Sequence, residues 1–424
     1  MITLTTIPTL LMALSPGAVS SAAASFEPAV AAQDSGRIAI VAGELHTAAG
    51  PVIRDGVVLI DNGRITAVGS ASEISIPEGW SVRKAAVATP GLVDAHTSVG
   101  LAGWLNIDHD RDELDRSEAM QPELRAIDAY NLDDPLVAWV RSYGVTTVHT
   151  GHAPGALVPG QTMVAKTVGP EVADAVLVSE AMISAVLSDR ARGSKGPGTR
   201  AKSAALLRAA LHSATEFARK QEAHDAGDGD APDRDLRKEA FARVIRGQTP
   251  LLVTAHEAHD ILTALRIAQE FPTMRLVLDG AAEAPRVIDS ILAAKVPVIL
   301  HPQMQRASGE AKELSFETAR ILNEAGVPIA LQSGYESYVP RARVLLFEAA
   351  IAARYGLDRL RALDMVTIDA ARICGVDDRV GSLEVGKDGD VALFDGDPFE
   401  YTTHCVGTVI EGRVVSEREQ WQAR

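Results

Sequence analysis

Residues 251–256 read LLVTAH, 275–279 RLVLD, 296–301 VPVILH and 327–333 VPIALQS. Between these apolar runs the pattern changes to helical periodicity, predicting helices near 257–270, 284–294 and 315–325. Strands joined through helices of this length need crossover connections, so they run parallel. Two more helices are expected near 341–354 and 357–373. Upstream, Leu207, Leu211, Ala214 and Phe217 recur at spacings of three and four, predicting a helix over 199–222. Leu236, Ala240, Phe241 and Val244 form a second stripe, and the acidic stretch 223–233 between them reads as a solvated loop. The α/β alternation over 90–375 has the size of a (β/α)8 TIM-like barrel, which takes roughly 250 residues.

Both chain ends read differently. Residues 37–88 resolve into short strands, with Asn62-Gly63 between two apolar runs in GVVLIDNGRITAVG. That dipeptide suits a two-residue type I′ hairpin, whose central residues both need positive φ. Asp390–Asp395 and Val406–Val415 repeat the style, with a turn at Glu411-Gly412. The expected organisation is a composite β-sandwich domain from 36–89 plus 376–424 around a barrel of 90–375. Residues 1–35 carry an apolar run, Leu4 to Leu14, then small residues with cleavage-like sites at 29–32. This reads as a signal peptide, which places the protein in the periplasm or outside the cell, and in the cytoplasm if the segment is only a tail. No Lys or Arg precedes Arg37, which is atypical of such a leader.

A net charge of −15 argues against nucleic acid and anionic membranes as partners. Aromatics are 4% of residues, too few for base-stacking platforms, so the core is built from aliphatic side chains. Cys374 and Cys405 match no disulfide framework or zinc-knuckle spacing. No membrane insertion is expected, and the partner expected is a small-molecule substrate. A homo-oligomer is compatible with this architecture.

Barrel enzymes place their chemistry at the C-terminal ends of the strands. Here those ends carry His256, Asp279, His301, Gln332 and Ser333. GLVDAHTSVG puts Asp94, His96 and Ser98 on one face by alternation, and GVTTVHTGH adds His149 and His152. A single histidine at a strand end is more commonly a hydrogen-bonded cap, so the coincidence of several carries the argument. Together they suggest a metal or acid–base site. His259 is expected to face outward and His109 to lie in a solvated loop. GSLEVGK at 381–387 lacks the Ser or Thr of a P-loop, and no crossover helix follows it.

PGLVDAH at 90–96, VGSLEVGKDGDVALFDGDP at 380–398 and VGTVIEGRVV at 406–415 resemble the amidohydrolase superfamily. The imidazolonepropionase-like and dipeptidase-like branches are the most similar, and the resemblance covers about residues 37–415. It implies a barrel with a split β-sandwich and one or two divalent metals. The implied ligands are an H-x-H pair, a mid-barrel Lys or Glu, single histidines on strands five and six, and an Asp on strand eight. His96 matches the first histidine, but Ser98 stands at the second. His256 matches strand five, Asp279 stands at the strand-six position, and Gly334 falls where the strand-eight Asp is expected. Lys166 is the nearest counterpart of the bridging lysine.

The binuclear centre is thus reduced to an expected mononuclear one, with zinc as the ion and His96, His256 and Asp279 as ligands. Asp279 or Glu336 would be the base, and His152, His301 and Gln332 would contact substrate. The expected reaction is hydrolysis of a carbon–nitrogen bond, dipeptide-like or non-peptide, by metal-activated water. Two other readings stay open: a metal-free barrel serving as a binding or scaffold protein, and a metal-free acid–base enzyme.

Overall fold

The computed structural model describes residues 36–105, 107–192, 195–335 and 344–418. The expected signal peptide and Glu336 lie outside the described residues. No helix among those described is long and apolar enough to cross a membrane.

The first four strands are β1 (Arg37–Leu45), β2 (Ile53–Asp61), β3 (Arg64–Ser70) and β4 (Ser81–Pro90). The next eight are β5 (Leu92–Thr97), β6 (Val145–Gly151), β7 (Gly160–Lys166), β8 (Val176–Val186), β9 (Leu251–Ala255), β10 (Leu276–Gly280), β11 (Val298–Leu300) and β12 (Ile329–Ala330). These eight form one sheet in sequence order. A parallel bridge between Thr97 and Gly334 brings its two edges together, with the Gly334 amide donating to the His96 carbonyl at 3.2 Å. This is the TIM-like barrel. The helices α1 (Arg200–Asp225), α2 (Leu236–Ile245), α3 (Ala258–Glu270), α4 (Ile288–Ala294) and α5 (Thr318–Glu324) supply the expected crossovers. In α1, Thr199 caps the first turn by accepting from the Lys202 amide at 3.2 Å, and Leu207, Leu211, Ala214 and Phe217 are buried.

One strand departs from the alternation. β7 pairs antiparallel with both β6 and β8. Residues 152–159 and 167–175 are too few for crossovers, so hairpin-like connections reverse the chain twice.

Alternation along the strands sets up the site. Leu252, Val277, Ile299 and Ala330 belong to one apolar cluster, together with Val93, Val164 and Met182. Two residues further along the same strand faces come Thr254, Asp279, His301 and Gln332. An apolar layer therefore carries a polar layer above it, at the C-terminal rim.

The chain ends build a seven-stranded sheet, ordered β15-β14-β13-β4-β1-β2-β3, where β13 is Val391–Phe394, β14 Cys405–Ile410 and β15 Arg413–Glu417. β4 joins the two halves, pairing parallel with β1 and antiparallel with β13. The expected hairpin is present: Asn62 has φ 49° and Gly63 φ 81°, with Asp61 opposite Arg64. Glu411 and Gly412 repeat it at φ 48° and 72°. Gly63→Ala is expected to destabilise the fold by about 1–2 kcal/mol, since Ala pays the left-handed penalty that Gly avoids. Denaturant unfolding checks this. A cost indistinguishable from zero would mean that the turn tolerates a Cβ.

Candidate functional site

The polar layer converges on Asp279, which is fully buried in the barrel. Its Oδ1 faces His96 Nδ1 at 3.1 Å and accepts from Gln332 Nε2 at 2.8 Å, while Oδ2 accepts from the Thr254 hydroxyl at 2.7 Å. Burial pushes the Asp279 carboxyl up, but the His96 imidazole and the Thr254 and Gln332 hydrogen bonds together hold it below the usual carboxylate range. Asp279 is therefore an anion with three donors. With Nδ1–H donating to Asp279, His96 keeps Nε2 free, and that atom is buried without a hydrogen-bond partner.

Two neighbouring strand ends repeat this condition. Both ring nitrogens of His256 are buried and unpartnered, as is Nε2 of His301, whose Nδ1 faces the Pro302 carbonyl at 3.1 Å. Burial lowers the pKa of His256, opposed by Asp279, and pushes His301 down to about 4. Both rings are neutral at neutral pH. Gly280, with φ 83°, leaves room for His256, because a Cβ there would stand 2.6 Å from its Cε1.

His149 is different. Its Nδ1–H donates to the Ala95 carbonyl and its Nε2 accepts from Thr162, both at 2.6 Å, so the buried ring supports β5 and β7. The Ser98 hydroxyl is buried and unpartnered where the second histidine of the pair would stand. Asp94 accepts from the Ser333 hydroxyl and amide, at 2.5 and 3.0 Å, across the seam of the barrel. Burial raises its pKa to about 6 against these hydrogen bonds. Gly334 has φ 94°, a conformation that side chains avoid, which gives a backbone reason for glycine at the strand-eight position.

The antiparallel course of β7 removes one expectation. Its C-terminal residue, Lys166, lies at the opposite end of the barrel from His96. Buried there, it pairs with Asp388 at 2.6 Å, Asp390 at 3.0 Å and Glu411 at 3.3 Å. It ties the barrel to the end sheet and is no counterpart of a bridging metal ligand.

Of the residues singled out from sequence, the structure groups His96, His256, Asp279, His301 and Gln332. His152 instead lines an acidic cavity whose walls include none of these five residues. Sequence reasoning missed Tyr335, whose ring centroid is 5.6 Å from that of His96, and Arg190, whose guanidinium lies 5.5 Å from the Tyr335 ring centre. Tyr335 directly follows Gly334, so proximity to the strand-eight end was the available signal.

The donor set fits a divalent ion. An imidazole ligand must be neutral with one nitrogen free, and a carboxylate behind the other nitrogen fixes its orientation, as Asp279 does for His96. The donors do not form a closed shell. Among the described residues, three ligand atoms lie within 4.8 Å of one another only at Glu257, His259 and Asp260. There Arg200 already supplies the positive charge, pairing with Glu257, with Asp260 at 3.0 Å and with Glu310 at 2.9 Å. At His96 and His256 the buried, unpartnered ring nitrogens are the donors that an ion at this rim would use.

The model of the Amidohydrolase family matches residues 136–416. A curated relative, amidohydrolase tasK of Hapsidospora irregularis, is 25% identical over 84% of this chain, and the match spans 39% of tasK. Imidazolonepropionase of Thermoplasma volcanium is 31% identical over 26% of this chain and 28% of its own length. The crystal structure of an amidohydrolase from Thermotoga maritima MSB8 superposes with a TM-score of 0.83, at 28% identity, covering 90% of this chain and all of that one. The motifs at the two chain ends, the barrel with its composite sheet and these matches agree: the chain belongs to the amidohydrolase family.

Proposed function

We propose that the chain hydrolyses a carbon–nitrogen bond of a small molecule at the C-terminal rim of its barrel, with one divalent ion held by His96 and His256. The observation that carries this reading is the set of buried, unpartnered imidazole nitrogens on neighbouring strand ends around Asp279. Buried polar atoms without partners are rare, and a site built to receive an ion and an amide accounts for them. Zinc suits imidazole donors. When bound, the ion would supply a water of lowered pKa and polarise the scissile carbonyl.

The chain's own residues divide the remaining work. Asp279 fixes the tautomer of His96 and keeps Nε2 available, while Gln332 and Thr254 hold Asp279 in place. With three hydrogen bonds already accepted, Asp279 suits orientation better than ligation, and a spare Oδ2 lone pair can take the proton of the attacking water. Glu336 is the other candidate base. The neutral Nε2 of His301 is available to the substrate amide, and the Tyr335 ring shields His96 from water. Residues 90–375 would carry the chemistry, and 36–89 with 376–424 would support it. The apolar leader favours export to the periplasm or beyond.

Metal analysis tests the centre. After growth with zinc, the purified chain is expected to hold about one equivalent, lost in His96→Ala and His256→Ala. Less than ~0.1 equivalent in the unsubstituted chain would overturn the metal assignment.

A further inference from the structure

A second cavity, of about 260 Å3, lies beside the loop that follows β5. Its walls carry four carboxylates, Asp112, Asp115, Glu123 and Asp128, against one guanidinium, Arg125, together with His152. Backbone pairing explains why these groups meet. The Ala153 amide donates to the Glu113 carbonyl at 2.7 Å, Val158 to Ala119 at 3.0 Å, and Gln161 to Leu124 at 2.8 Å. Gln161 Nε2 also donates to the Pro122 carbonyl at 2.8 Å. The loop is thus stitched onto the β6–β7 connection. That connection leaves the C-terminal end of β6, so the cavity stands on the same rim as His96 and His256.

Two of its groups hold buried polar atoms that lack a partner. His152 is 5% exposed, the Glu113 backbone lies beside its ring, and neither ring nitrogen is otherwise hydrogen-bonded. Burial lowers its pKa, against the pull of Asp115 and Asp112, so the ring is neutral and offers a lone pair. Glu123 Oε2 is also buried and unpartnered, while Oε1 accepts from Arg237 at 2.8 Å. Groups of this kind take a ligand or ordered water.

The occupant's chemistry follows from the spacing. A metal ion would need several donors drawn close together. Among the described residues, no three of these carboxylates and His152 come within 4.8 Å of one another. The negative charge is spread around a space the size of a long side chain, which matches an extended organic cation with several N–H donors.

We propose that this cavity binds the guanidinium or alkylammonium end of the substrate, making the chain selective for amides of arginine- or lysine-like residues. The word substrate rests on the hydrolase reading above, whereas cation binding does not.

The test is calorimetric binding to the full chain at low salt, comparing Nα-acetyl-argininamide with its neutral isostere Nα-acetyl-citrullinamide. The arginine compound is expected to bind at least tenfold tighter. Asp112→Asn/Asp128→Asn, two exposed positions, should erase the difference while leaving the melting temperature in place. Equal binding of the two compounds, or a preference that survives the double variant, overturns the proposal. Arginine-selective binding without hydrolysis of any amide would uphold the cavity and defeat the hydrolase reading. Hydrolysis with equal kcat/KM for the charged and neutral compounds would do the reverse.

Discussion

Replacing His96 or His256 by alanine is expected to lower amide hydrolysis by a factor on the order of 10³, with little change in melting temperature for His256→Ala and a lowered one for His96→Ala, which strips a donor from the buried Asp279 carboxylate. Both rings present buried nitrogens that no protein group uses. Removing either deletes a donor from the site without breaking a bond that holds the fold, apart from the His96–Asp279 pair. Asp279→Asn keeps the volume but removes both the charge that fixes His96 and the acceptor for the proton of the attacking water, and a loss on the order of 10²–10³-fold is expected. Steady-state rates on purified variants check both. Full activity in His256→Ala would remove that ring from the mechanism.

The largest effect on stability is expected at Lys166, far from the chemistry. Its ammonium is enclosed by Asp388 and Asp390, whose side chains are 1% and 3% exposed. Burial favours the neutral amine, but Asp390, Asp388 and Glu411 outweigh it and hold the pKa above the ordinary lysine value. Lys166→Ala leaves buried carboxylates short of a partner, and breaking such a pair costs about 3–5 kcal/mol. Arg64 and Arg379 still neutralise Asp388, at 2.5 and 2.8 Å, so Asp390 bears most of the loss. Burial already raises the Asp390 pKa, and loss of Lys166 raises it further. A folded-state pKa above the unfolded value means that stability falls as pH rises through that interval. The cost is therefore expected to be larger at pH 8 than at pH 5. Urea unfolding at the two pH values measures it, and a cost below about 1 kcal/mol at pH 8 would show the cluster to be dispensable.

The barrel was readable from 251 to 333 because each strand there is a short aliphatic run followed by a helix with its own stripe. The end sheet was readable from two dipeptides, Asn62-Gly63 and Glu411-Gly412, whose positive φ values leave few other conformations. The reversal at β7 was missed, although the short stretches on either side of Gly160–Lys166 exclude a crossover. That omission misplaced Lys166, since strand direction decides which end of the barrel a residue reaches. His96, His256, Asp279, His301 and Gln332 were legible as strand-end polar residues. Their division of labour was not, because it depends on which nitrogen faces which oxygen across strands distant in sequence. Tyr335 and Arg190 escaped for the same reason. Ser98 and Gly334 mark where the chain departs from the familiar ligand pattern. The structure gives Gly334 a local reason, its left-handed backbone at the seam.

The most direct test of the central claim is amine release from a panel of N-acyl amino acids and dipeptides, using the zinc-grown chain and its His96→Ala/His256→Ala double variant. Release by the unsubstituted chain on at least one member is expected, and none by the folded double variant. No release by either protein, or equal release by both, would contradict it.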